Sequence, residues 1–105
     1  MRMWNVNPKR MCDQHLLGEH VECHMFVATL NQGKSVRGYL DNGLLEVHNL
    51  KKRHEELSEE MERRGMKHQS KLPFFKIIKL GKVSPRKNLI ELKKRCKNCR
   101  RINDA

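Results

Sequence analysis

The sequence has few aromatic residues, no long apolar run and almost no acid in its final third. One Trp, one Tyr and three Phe are too few for a broad surface on which nucleic-acid bases stack. No apolar run approaches the ~20 residues of a membrane-spanning helix, and residues 1–5 lack the apolar stretch of a signal peptide. We therefore expect a cytoplasmic protein, cellular or viral, without membrane contact, whose cysteines are thiols or metal ligands.

Positive charge is abundant and lies almost entirely in the C-terminal part of the chain. The 105 residues carry a net charge of +11. Residues 1–50 hold equal numbers of acidic and basic side chains, whereas residues 67–105 hold thirteen Lys or Arg and two acids. This asymmetry predicts a polyanionic partner, most commonly nucleic acid; a solubilising tail or an anionic membrane contact are the alternatives.

Capping signals and periodicity predict a mainly α fold with three helices in a single domain, 1–105, ending in a basic helix and tail from about 84. Asn-Pro at residues 7–8 predicts the start of a first helix over about 8–30. A second helix is predicted over 49–64, with Gly65 as its stop. Its buried stripe comprises Leu50, His54, Leu57 and Met61. Ser-Pro at residues 84–85 predicts the third helix.

The predicted connections are long. Asp41–Gly43 is compatible with a short hairpin, and residues 66–83 are expected to be irregular. A glycine within the first helix, Gly18, predicts a close approach to the backbone, either by a ligand or by another helix. The apolar residues expected to anchor the second connection are Phe74, Phe75, Ile77 and Ile78.

Two motifs have the residue spacing of a phosphate-binding loop or of metal ligands, but the neighbouring residues do not supply the rest of such a site. Residues 28–35 fit a relaxed phosphate-loop pattern, yet a helix precedes them where a strand is needed. His20 and His24 are one helical turn apart, but Glu22 lies about 200° around the helix from His20. We therefore expect neither a nucleotide site nor a catalytic metal.

Cys96 and Cys99 form one half of a zinc site. Cys12 and Cys23 are roughly 16 Å apart along a helix, so they cannot join one site. Without a defined second half, we expect Cys96 and Cys99 to be thiols and the protein to require no metal or cofactor. Candidates for the second half are Cys12, Cys23, His15, His20, His24 and His54.

Residues 12–22, with Asp-Gln-His-Leu ahead of Glu22, resemble the first helix of the phage-type pyrimidine-dimer DNA glycosylases, also called dimer-specific endonuclease V. Residues 33–37 are similar to a basic turn of that family, and residues 50–65 to its second helix. The resemblance covers about residues 1–66. It implies three crossing helices, and an enzyme that excises the 5′ base of a cyclobutane dimer and then cleaves at the abasic site.

The resemblance also implies roles for individual residues. Glu22 corresponds to the catalytic carboxylate, and Met1 stands at the position of the residue whose α-amine is the nucleophile. An α-amine has an ordinary pKa of about 7.7–8.0, so roughly 10–20% of it is neutral near pH 7, far more than of a lysine side chain. Arg2 and Gln14 correspond to DNA-contacting residues, and His15 to a histidine near the site. Phosphate contacts are further expected from Lys34, Arg37, Lys94 and Arg95.

The chain departs from the family pattern in three places, one of which is a shorter loop after the first helix, with Met25 near the position of another Arg. Val21 replaces a DNA-contacting Arg beside the catalytic Glu, and the tail at 94–101 replaces the family's aromatic and basic tail. We expect a monomeric enzyme that acts on double-stranded DNA with damaged bases or abasic sites, through a Schiff base and β-elimination. The alternatives are a lyase for another lesion and a non-catalytic nucleic-acid binder, with or without zinc at Cys96 and Cys99.

Overall fold

Helices account for all regular structure in the residues that the computed structural model describes, 1–67 and 70–104. They are, in chain order, α1 (Asp13–Asn31), α2 (Arg37–Asp41), α3 (Leu50–Arg63), α4 (Pro85–Arg95) and α5 (Lys97–Asp104). The predicted mainly α class is confirmed, with the three expected helices and two shorter ones. Within the described ranges, no helix combines the length and apolar character needed to cross a lipid bilayer.

The first helix begins later than predicted. Asn7 and Pro8 start a 3-10 turn, Pro8–Arg10, in which the Asn7 side chain accepts a hydrogen bond from the Lys9 N–H. Met11 then adopts an extended backbone and is fully buried. Because this extended residue interrupts the helical hydrogen bonding, α1 begins only at Asp13.

α1 and α3 pack against each other and form the centre of the core. The predicted stripe of α3 is buried throughout, and the buried apolar residues of α1 are Leu16, Cys23, Phe26 and Val27. A buried ion pair joins the two helices. The Arg53 guanidinium donates to both Glu19 carboxylate oxygens, at 2.6 Å and 2.8 Å. Sequence patterning did not predict this pair.

The predicted hairpin at residues 41–43 is wrong, because the chain forms α2 there. The Leu44 N–H donates to Tyr39 O at 2.8 Å, and Gly43 has a positive φ of 68°. These features end a short helix rather than join two strands. An Arg37–Asp41 pair at helical spacing supports the turn.

The connection between α3 and α4 is irregular where it is described; residues 68 and 69 of the predicted stretch lie outside the described residues. Only one of its four predicted anchors, Phe75, is buried, whereas Phe74 is 92% exposed. The Val47 N–H donates to Leu80 O at 2.9 Å. At Gly81, with φ +88°, an added Cβ would lie 2.1 Å from Leu45 O. Glycine is therefore required where the connection crosses Leu45.

The C-terminal part is more helical than predicted. Ser84 caps α4 by accepting a hydrogen bond from the Lys87 N–H. Cys96 then has an extended backbone, and α5 follows at once. The close approach predicted at Gly18 is not observed within the described chain, because an added Cβ would meet nothing within 4 Å.

Candidate active site

The N-terminal segment is fixed against two other parts of the chain. The Met3 N–H donates to Leu44 O at 2.7 Å. From α4, the Asn88 side-chain amide donates to Met3 O at 3.2 Å and Trp4 O at 2.8 Å. Met3, Trp4 and Asn88 are all buried. These contacts determine where the Met1 nitrogen lies.

The structure brings the Met1 nitrogen to the carboxylate of Glu22. The nitrogen lies 3.7 Å from Glu22 Oε1, and the two side chains are 14% and 27% exposed. Glu22 projects from the middle of α1, an element that is itself held by the core. The ion pair is therefore partly shielded, yet open to a ligand.

Burial raises the pKa of Glu22 above its ordinary value. The nearby Met1 ammonium and a hydrogen bond from the Arg2 backbone N–H oppose this effect. The carboxyl is therefore a stronger base than an exposed glutamate, and it faces an amine that must lose a proton to act as a nucleophile.

The pair opens into a cavity of about 470 Å³. The cavity is lined by Met1, Arg2, Trp4, His15, Glu22, Leu44 and Arg95. A nucleophile, a carboxylate and two guanidinium groups thus share one concave surface. A larger groove of about 630 Å³ lies between α3 and residues 71–77 and contains no comparable combination among its described residues.

Two arginines supply positive charge to the cavity. The Arg2 guanidinium lies 3.9 Å from the centre of the Trp4 ring and donates to Asn88 Oδ1 at 2.6 Å. Arg95 is exposed and donates to Glu91 at 2.6 Å. Burial and the neighbouring Arg95 charge lower the pKa of Arg2. Two cations close enough to repel each other are well suited to an anionic group such as a DNA phosphate.

The remaining residues expected to contact DNA are more scattered. His15 lines the cavity, but its Nδ1 lies 3.3 Å from Cys12 Sγ. Burial lowers the pKa of His15, which favours the neutral ring. The other four do not line the cavity and are exposed: Gln14, Lys34, Arg37 and Lys94.

The described residues contain two groups with metal-ligand geometry. One comprises three histidines of α1 and α3, namely His20, His24 and His54, in which His24 Nε2 lies 3.1 Å from His54 Nε2. The other comprises Cys12, His15, Cys96 and Cys99. Cys23 belongs to neither group, and burial raises the pKa of its thiol.

Sequence reasoning missed Asn88, which holds the N-terminal segment by two backbone contacts. The sequence did contain a signal for this role. Asn88 lies four residues before Leu92, so the two residues share one face of α4. A polar residue at such a position requires hydrogen-bond partners when it is buried. Its partners, however, are 84 and 85 residues distant in sequence.

Comparison with known families gives one match. A family model described as pyrimidine dimer DNA glycosylase matches residues 1–74. Searches of curated proteins and of solved structures gave no match. The matched range includes Met1, Arg2 and Glu22, but it ends before Asn88 and Arg95.

Proposed function

Because the chain belongs to the pyrimidine dimer DNA glycosylase family, we propose that it excises a damaged pyrimidine and then cleaves the abasic strand, with the Met1 amine as nucleophile. The observation that carries this proposal is the distance of 3.7 Å between the Met1 nitrogen and Glu22 Oε1. The substrate is double-stranded DNA that contains a cyclobutane dimer or an abasic site.

Substrate binding begins with the phosphate backbone. The exposed Lys and Arg side chains of residues 67 and 70–101, among them Arg95, attract DNA together with Arg2 and without regard to sequence. The lesion weakens stacking and pairing, which lowers the cost of displacing a base from the duplex. Arg2 and Arg95 then lie beside the sugar-phosphate unit that enters the cavity, next to the nucleophile.

The chemical step uses the amine as the nucleophile and the carboxylate to stabilise positive charge. The neutral Met1 nitrogen forms a bond to the sugar C1′ as the bond from C1′ to the base breaks, and the base leaves with a proton. Glu22 stabilises the positive charge that develops on the sugar. The amine gives one proton to the departing base and the other to the ring oxygen as the bond between C1′ and that oxygen breaks, which leaves a Schiff base. Removal of a C2′ proton then expels the 3′ phosphate and breaks the strand.

Borohydride trapping with abasic DNA tests the nucleophile. Intact mass first confirms that the Met1 amine is free. This protein should then form a covalent complex in which the DNA is attached to residue 1. A short N-terminal extension should abolish trapping because it removes the amine. An extended variant that traps DNA as well as the original protein would refute the assignment.

Glu22→Gln tests the carboxylate. It should lower the single-turnover rate of base excision by about 100-fold or more, because it removes a charge placed against the developing cation. Glu56→Gln is the matched control, since Glu56 is exposed on α3. Similar rates for both variants would exclude Glu22 from the reaction.

The lesion is tested separately from the chemistry. Ultraviolet-irradiated DNA should be cut at dimers, whereas undamaged DNA should not. If abasic DNA is cleaved and dimers are not, the protein is a lyase for another lesion. If neither is cleaved and no complex is trapped, it is a non-catalytic binder.

A further inference from the structure

Two short motifs that are far apart in sequence meet at one point of the structure. Cys12 and His15 come from the start of α1, whereas Cys96 and Cys99 come from the junction of α4 and α5. One ligand atom from each residue lies within 4.8 Å of the others. Residues 75–105 lie outside the family match, so the matched region contains only half of this cluster.

We propose that Cys12, His15, Cys96 and Cys99 bind one structural Zn²⁺ ion. Three thiolates and one imidazole form a common ligand set for structural zinc. The proposal rests on this cluster alone and does not depend on the proposed repair activity.

The distances fit a tetrahedral ion. Zinc with bonds of about 2.3 Å to sulfur holds its sulfur ligands about 3.8 Å apart. Cys12 Sγ lies 3.8 Å from Cys96 Sγ. His15 Nδ1 lies 3.3 Å from Cys12 Sγ and 3.8 Å from Cys99 Sγ. These three distances are close to those of a tetrahedral zinc site, and the other pairs of ligand atoms lie within 4.8 Å of each other.

Both halves of the cluster have the same local architecture. Cys12 directly precedes α1 and His15 is its third residue; Cys96 directly precedes α5 and Cys99 is its third residue. Residues three apart at a helix start lie on the same face. Each pair therefore presents two ligands side by side, and the positive end of each helix dipole favours bound thiolate.

Backbone N–H groups donate to the sulfur atoms. The Cys12 N–H lies 3.3 Å from Cys99 Sγ, and the Cys99 N–H lies 3.4 Å from Cys96 Sγ. Such bonds stabilise thiolate over thiol, as zinc binding requires. The first of them also links the start of α1 directly to α5.

The position of the cluster suggests what the zinc does. His15 lines the proposed active-site cavity, and Arg95, which precedes Cys96, lines it too. Zinc would attach the C-terminal helices to α1 beside that cavity and hold Arg95 there. The ion is structural, because all four of its positions are filled by the protein.

Metal analysis of the purified full chain tests the proposal. Wild-type protein grown with zinc should carry one zinc ion more per chain than the Cys96→Ser/Cys99→Ser variant. Cys23→Ala is the matched control and should retain that zinc, since Cys23 is buried outside the cluster. The readout is the difference between the proteins, because His20, His24 and His54 form a separate group.

A second measurement avoids any dependence on the folding of the variants. X-ray absorption of the zinc in wild-type protein should show three sulfur neighbours and one nitrogen. Cobalt added to metal-free wild-type protein should give the charge-transfer absorption of three thiolates. Wild-type protein without sulfur-bound zinc, or with a Cys12–Cys96 disulfide on purification, would overturn the proposal. Equal zinc in wild type and the double variant would do the same.

Discussion

Glu22 shows how the fold changes the chemical surroundings of one residue. In the sequence it is one glutamate on a helix, and most such residues are solvated. In the fold it is half-buried and faces the Met1 nitrogen. Burial raises the pKa of Glu22, so this carboxyl group needs a higher pH to ionise than an exposed glutamate does.

This pKa shift predicts the pH dependence of activity. The proposed reaction needs both a neutral Met1 amine and ionised Glu22, so the rate should fall as the amine takes up a proton and should fall more steeply once the pH drops through the pKa of Glu22. Because that pKa is raised, the steeper part of the fall should begin at a higher pH than the ordinary glutamate value of about 4.3 would give. Single-turnover cleavage of abasic DNA measured across pH tests this expectation. A steeper fall that begins only at or below the ordinary value would contradict it.

The contribution of Glu22 to the free energy of unfolding should become more favourable as the pH falls, whereas activity should decrease. The folded-state pKa of Glu22 exceeds the unfolded value, so ionisation of Glu22 destabilises the folded state above both values. That cost disappears as the pH falls below the unfolded value. Glu22→Gln should therefore be most stabilising relative to wild type near neutral pH, and least in acid. Urea unfolding at several pH values measures the difference.

At the scale of elements, the contact between α1 and α3 combines predicted and unpredicted features. The apolar stripe of α3 followed from helical periodicity, which is local information. The Glu19–Arg53 pair did not, because the two residues are 34 apart in sequence. Arg53 also donates to Val6 O at 2.6 Å, which ties the N-terminal segment to the two helices.

Breaking this buried pair should be costly. Glu19→Gln leaves the Arg53 charge buried without its partner, and we expect the free energy of unfolding to fall by about 3–5 kcal/mol. Asp41→Asn breaks the exposed Arg37–Asp41 pair and should cost no more than about 1 kcal/mol. Urea unfolding compares the two. Equal decreases in the free energy of unfolding would mean that the buried pair stabilises the fold no more than the exposed pair does.

The boundaries of elements were harder to predict than their existence. The Asn-Pro signal at residues 7–8 does begin a helical turn, but Met11 leaves it to enter the core. Likewise, the Asp-Asn-Gly sequence at 41–43 fits either a hairpin or a helix end. The choice between them depends on whether a partner strand is available, which no local signal reveals.

For the whole molecule, the distribution of charge is the feature that bears most on the proposed binding of DNA. The C-terminal part of the chain holds the entire net excess of +11. Its lysines on the α3–α4 connection, such as Lys76 and Lys79, are exposed. Lys51 and Lys52 on α3 have different electrostatic surroundings, because they lie among the glutamates of that helix.

DNA binding should therefore weaken steeply with salt, with a slope set by this region. Lys76→Ala/Lys79→Ala should reduce the salt slope by about one unit for each phosphate interaction that is removed, equally for damaged and undamaged DNA. Lys51→Ala/Lys52→Ala is the matched control and should change the slope less. Fluorescence anisotropy at several salt concentrations measures both. A larger effect of the control would place the DNA on another face.

The sequence by itself determined the helical class and the buried stripe of α3, and it predicted a polyanionic partner and, through family resemblance, a catalytic role for Glu22. All of these depend on composition or on residues that are close along the chain. The tertiary structure alone decided which distant residues meet. It placed the Met1 nitrogen beside Glu22, Asn88 beneath the N-terminal segment, and Cys12 and His15 beside Cys96 and Cys99. Periodicity carries no information about such contacts, because they arise from packing of the whole core.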